Sequence, residues 1–187
     1  YQCHKKESYE KNVVHAVIGK EGCRACHLSH SSDEKDLLTK AEPGLCLACH
    51  DGGKDTFKKA HGGYPPRSCS ACHDPHSSDG AKLLKASLHS PVSGGGCDSC
   101  HAPASGAKPF ALQATGGALC ANCHDAASLD GGGTVQHAPV KAGDCIACHD
   151  PHASGNAHLT RAPGNDLCLG CHPQMGQKFT APHKVVA

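Results

Sequence analysis

Cys23-Arg-Ala-Cys26-His27 and Cys46-Leu-Ala-Cys49-His50 begin a series that decides how the whole 187-residue chain must fold. The same Cys-x-x-Cys-His spelling returns at Cys69, Cys72 and His73, at Cys97, Cys100 and His101, and at Cys120, Cys123 and His124. It returns again at Cys145, Cys148 and His149, and at Cys168, Cys171 and His172. Cys3-His4, at the start of the chain, carries the second half of an eighth copy. This spacing is the attachment signature of c-type haem. Two thiols three residues apart reach the two vinyl groups on one porphyrin edge, and the adjacent His turns back onto the iron. Eight haem c groups are expected, seven on complete motifs and one on the half motif.

Composition makes the same demand from another side. Leu, Ile, Val and Phe number 27, about 14 per cent of the chain, where an ordinary core needs about 20 per cent. There is no Trp, and there are only three Tyr and three Phe. Side chains alone cannot offset the conformational entropy of ordering such a chain. Tethered porphyrin plates can, and the protein is expected to collapse without them as small metal domains do. The 15 Cys could instead form disulfides or zinc sites, but neither explains a His directly after the second Cys of every pair. A formal net charge of +1 gives no electrostatic sign of nucleic-acid binding. No run approaches the roughly 20 apolar residues of a membrane span.

Nine histidines lie outside the motifs, and their positions expose a repeat. His15, His61, His89 and His137 each stand eight residues before the first Cys of a motif; we call these motifs type A. Three type A motifs also carry a trailing His three residues after the motif His, namely His30, His76 and His152. The other motifs, type B, have Leu before the first Cys (Leu45, Leu119, Leu167). His158 breaks the pattern, since its counterparts are Asp36 and Lys82, and it is expected to bind no iron. Ser77 to Ser90 separates two adjacent type A motifs and marks the boundary expected between halves 1–84 and 85–187, within one continuous haem-wrapped unit. The expected fold is mostly irregular coil with short helices, few or no strands and a haem-packed core. Glu34 to Ala41 and Asp55 to Ala60 read as short helices, and frequent Gly and Pro limit everything longer.

The paired motifs, the Asp74-Pro75-His76 and Asp150-Pro151-His152 stretches and the Leu37-Leu38 and Leu83-Leu84 pairs resemble the doubled-motif multihaem cytochromes c. That family includes class III-like tetrahaem proteins and extracellular cytochrome filaments. The resemblance implies that His15, His61, His89 and His137 bind the haems of His27, His73, His101 and His149. It further implies that a trailing His binds a neighbouring haem: His30 that of His50, His152 that of His172, and His76 the remaining one, of His124. The haem of His4 and the C-terminal His183 are then left over. They are expected to meet across two copies of the chain, head to tail, an arrangement that makes filaments when it does not close. The alternative is that the sequence is cut at both ends and more haems lie beyond.

Imidazole on both faces of each iron leaves no place for a substrate, so the expected activity is electron transfer, with redox proteins or an external acceptor as partners and low potentials. Met175, the only Met, is not expected to compete with His. Because c-type haem is attached outside the cytoplasmic membrane, the resemblance implies export, and the protein is expected at the cell surface or beyond it. The alternatives are a soluble periplasmic shuttle, or a reductase of a small nitrogen or sulfur oxyanion if one haem keeps an open face.

Overall fold

Coil dominates the computed structural model, which describes residues 4–5, 9–125 and 133–176. Seven α-helices of four to six residues punctuate these segments. They are α1 (Ala16–Lys20), α2 (Gly44–Leu47), α3 (Asp55–Ala60), α4 (Ser90–Ser93), α5 (Gly117–Cys120), α6 (Ala138–Lys141) and α7 (Gly164–Leu169). Eight 3-10 turns of three or four residues and four two-residue strands complete the regular structure described; the strands are β1 (Val13–Val14), β2 (Ser77–Ser78), β3 (Ser87–Leu88) and β4 (Ala153–Ser154). Among the described residues only Tyr64 and Ala153 are buried apolar side chains. The chain exposes 13634 Å², against about 8,400 Å² for a compact protein of its mass. Side chains therefore do not form this interior.

The expected helix at Asp55 to Ala60 is present as α3, but the one at Glu34 to Ala41 is not. In its place Lys35–Leu37 make one tight turn, with Asp36 and Leu37 both at φ 58. The motif itself overrides helix propensity here. His27 Nδ1–H donates to the Asp36 carbonyl (2.8 Å), the Leu28 amide donates to the Leu37 carbonyl (2.7 Å), and Ser32 Oγ–H donates to the Leu38 carbonyl. These bonds fold the segment back over the motif and force two left-handed residues in succession, the geometry of a tight hairpin turn. Lys82-Leu83 and His158-Leu159 repeat it, with φ between 56 and 59. Each turn lies beside an antiparallel bridge from the motif His, His27 to Leu38, His73 to Leu84 and His149 to Thr160. His101 bridges to Leu112 without the left-handed pair.

The lone histidines divide the chain into four units, beginning at His15, His61, His89 and His137. β1 pairs antiparallel with β2 (Val13 with Ser78), tying the start of the first unit to the second. β3, just ahead of the third unit, pairs with β4 in the same register (Ser87 with Ser154), and the His89 amide donates to the His152 carbonyl (3.0 Å), tying the third unit to the fourth. Between the second and third units, Tyr64 donates its hydroxyl to the Ala102 carbonyl (2.7 Å) and packs against Phe110, over which Arg67 lies. The third and fourth units touch at backbone level. A Cβ on Gly117 would stand 3.0 Å from the Gly143 Cα, so side chains are excluded there.

Candidate functional site

Each complete motif is one turn closed by the same bond. The His amide donates to the first Cys carbonyl at 2.9–3.0 Å in all seven, from His27 on Cys23 to His172 on Cys168. Residues three and four apart share a helical face, so both thiols and the imidazole of a motif address one side. All fourteen described cysteines are free of disulfides. Among the described residues, no three His, Cys, Asp or Glu side chains converge as a bare metal ion would need. The donor chemistry fits a tethered macrocycle instead.

The imidazoles are aimed by the backbone. His27, His73, His101 and His149 each donate Nδ1–H to a main-chain carbonyl, of Asp36, Lys82, Phe110 and His158 at 2.8–3.2 Å. The lone histidines are held likewise: His15 on the Pro75 carbonyl, His89 on that of Pro151 and His61 on that of Phe57. A proton fixed on Nδ1 leaves the Nε2 lone pair for a metal and raises the basicity of the ligand. Burial holds His76 and His152 below the ordinary imidazole range, with Asp74 and Asp150 working the other way. Burial thus favours the neutral ring that metal binding requires.

Six pairs of rings confront each other across a common gap. The centres of His15 and His50, His89 and His124, His137 and His172, and His101 and His152 are 6.0 Å apart, those of His27 and His76 5.9 Å, and those of His61 and His73 6.3 Å. An imidazole nitrogen bonds a first-row metal ion at about 2 Å and lies about 1 Å from its ring centre, so two imidazoles on opposite sides of one ion have centres about 6 Å apart. Every gap fits one iron.

The partners differ from those the resemblance implies. Only His61 faces the motif His expected of it, His73. His15, His89 and His137 face the type B histidine of their own unit, 35 positions on in each case (15 to 50, 89 to 124, 137 to 172). His76 and His152 reach back to the type A histidines of the preceding units, His27 and His101. The reason is where each lone His sits. His15, His89 and His137 cap the N-termini of α1, α4 and α6, and the first two are paired by main-chain bonds to His76 (2.9 Å) and His152 (3.0 Å). Those bonds set the trailing ring opposite the type A motif. The second unit has no type B motif, and its His61 ends α3 instead of starting a helix. His61 therefore serves the motif beside it. Pro91 and Pro139, two residues after His89 and His137, are the sequence mark of a helix start. Gly62-Gly63 after His61 is its opposite.

Thiols of consecutive motifs come close together at two junctions. Burial pushes the Cys46 thiol up to about 12, helped by a hydrogen bond with the Cys69 thiol. Burial also raises Cys120, which is hydrogen-bonded to Cys145, and Cys26, beside Cys46 and Cys49; Cys72 is raised with Cys97 nearby. Neighbouring motifs of the row thus approach one another at Cys46 and Cys69 and at Cys120 and Cys145. His4 is placed beside this row by Tyr9, which hydrogen-bonds His4 Nδ1 (3.3 Å) and meets the His76 ring edge-on at 5.0 Å. Sequence reading passed over Tyr9, and no spacing rule singles it out. Cys3 and His183 lie outside the described residues, and His30 and His149 face no other imidazole among those described.

His158 lends only its carbonyl, from a left-handed residue at φ 56. His158→Gly is expected to leave the haem spectrum unchanged and to gain at most about 1 kcal/mol from relieved strain. Absorption and paramagnetic resonance spectra with a thermal melt check this, and any new high-spin signal would make His158 a ligand.

A family model described as the doubled CXXCH motif matches residues 15–55, 61–88, 89–129 and 137–177. These matches coincide with the four units, the 61–88 match being the one without a type B motif. No curated protein matches the chain.

Proposed function

The chain belongs to the doubled-CXXCH family and is a multihaem c-type cytochrome, and from that premise we propose that it conducts electrons along a row of bis-imidazole haems as the repeating subunit of an extracellular filament. Bound haem supplies one-electron redox chemistry. The polypeptide supplies position. Its six imidazole pairs with gaps of 5.9–6.3 Å carry the proposal, because an iron held on both faces gives and takes electrons without binding substrate. The close approach of successive motifs at Cys46 and Cys69 and at Cys120 and Cys145 supports a path that follows the chain. Within this reading His30 and the remaining non-motif imidazoles, His158 excepted, are axial ligands, and residues 1–84 and 85–187 form the two halves of one continuous unit.

The His183 imidazole of one subunit binds the haem on Cys3 and His4 of the next, which makes the contact heterologous. Among the described residues no helix is long and apolar enough to cross a membrane. Electron microscopy of the purified holoprotein tests the assembly. Fibres with one subunit per repeat are expected; uniform single particles at every concentration would remove the filament and leave a shuttle.

A further inference from the structure

The four type A motifs are clamped alike except the third. In the first, second and fourth units a serine five residues after the motif His bonds forward, Ser32 to the Leu38 carbonyl, Ser78 to that of Leu84 and Ser154 to that of Thr160, and a left-handed pair closes the turn. The third unit has Gly106 in place of that serine, Ala104 in place of the trailing His and Phe110-Ala111 in place of the left-handed pair. His101 is left with the longest of the four bonds from a type A ring to its carbonyl, 3.2 Å against 2.8–2.9 Å. A residue of the second unit supplies another clamp. Tyr64, 8% exposed, donates its hydroxyl to the carbonyl of Ala102, the residue after His101. Its ring and that of Phe110 stand edge-on to the His101 imidazole at 6.4 and 5.9 Å. Of the four ring-to-carbonyl bonds, only that of His101 is partly shielded from solvent.

The site of His27 is the internal comparison. Its outer ring, His76, and that of His101, His152, both follow an Asp-Pro pair and stand at 5.9 and 6.0 Å. The two sites differ on the motif side alone in these respects. Ferric haem carries one positive charge more than ferrous haem, so excluding water from its ligand favours the ferrous form. A short bond from Nδ1–H makes an imidazole more basic and favours the ferric form, and the long bond of His101 withholds that help. Both effects raise the potential at His101. Arg24 in the first motif and Asp98 in the third oppose them, and Arg67 over Phe110 adds to them, but all three residues are exposed and open to screening by salt. We infer that Tyr64 is a positioning residue for the haem on His101 and, by keeping water from that imidazole, holds this haem at a higher potential than its twin on His27. The electron goes to iron, and Tyr64 keeps its hydroxyl hydrogen. The inference rests on the bis-imidazole reading proposed above and needs no filament.

Two variants of the full-chain holoprotein single out the two haems. His76→Ala and His152→Ala each free one iron face, on the haems of His27 and His101, so the high-spin signal each gains reports one haem of the pair. Redox titration of that signal by paramagnetic resonance reads the two potentials, in about 1 M salt, where exposed charges act over only about 3 Å. The His152→Ala signal is expected to disappear at the higher potential, by about tenfold in the equilibrium constant, or about 59 mV for one electron. Adding Tyr64→Phe, which keeps the ring and drops the hydroxyl bond, should lower the His152→Ala value and leave the His76→Ala value unchanged. Tyr64→Leu should lower it further. The comparison of the two histidine variants leaves Tyr64 in place, so a poorly folding Tyr64 variant does not decide the matter. Equal or reversed potentials overturn the inference and leave the bis-imidazole row standing. Equal shifts by Tyr64→Phe in both backgrounds overturn the positioning role, since a loosened fold moves both haems. A His152→Ala protein without a high-spin haem overturns the ring pairing and the inference together.

Discussion

Deprived of haem, this chain is expected not to fold at all. Produced where haem cannot be attached, it should give a radius of gyration near the about 46 Å of an unfolded chain of its length, far from the about 16 Å of a compact one. The expectation rests on a polypeptide that exposes 13634 Å² and, among its described residues, buries only Tyr64 and Ala153 as apolar side chains. Two-residue strands and helices of at most six residues cannot persist alone, since isolated helices below about 12 residues are marginal in water. Local exceptions are the short bonded turns such as Lys35–Leu37. Small-angle scattering with far-ultraviolet circular dichroism measures the outcome, and a compact, structured apoprotein would contradict it.

His76→Ala is expected to alter a haem that its own unit does not carry. The ring it removes faces His27 across 5.9 Å, so the haem on His27 should become five-coordinate and high-spin. The same change should loosen the junction between the first two units, because His76 also accepts the His15 amide beside the β1–β2 pair. That main-chain bond survives the substitution, but the metal link across the junction does not. Hydrogen exchange at Val13–Val14 and Ser77–Ser78 should therefore speed up by about tenfold or more, for a loss of about 1.4 kcal/mol or more. His61→Ala serves as the control. It should give a high-spin haem of similar weight, on His73, with β1–β2 exchange unchanged. Equal effects of both variants on exchange would show that the trailing His does not bridge units.

Much of this was legible in the residues. The Cys-x-x-Cys-His spelling needs no tertiary context, because a turn closed from the His amide to the first Cys carbonyl is local and recurs at all seven motifs. The repeat was legible too, since the fixed offsets of His15, His61, His89 and His137 are properties of the chain alone. Helix propensity succeeded at Asp55–Ala60, where nothing competes, and failed at Lys35–Leu37, where three bonds to a motif and its neighbours outbid it.

Which imidazole faces which was another matter. Five of the six facing pairs join residues 35 to 51 positions apart (15 to 50, 101 to 152), and only His61 and His73 lie close in sequence; sequence spacing says only that such distant meetings are possible. The choice is made by the β1–β2 and β3–β4 pairings, which set the trailing His of one unit against the type A motif of another. Identity of the donors is written in the chain because covalent and metal chemistry constrains residue type; their partners are settled only when separate units dock, because each imidazole goes to whichever gap the packed backbone brings to it.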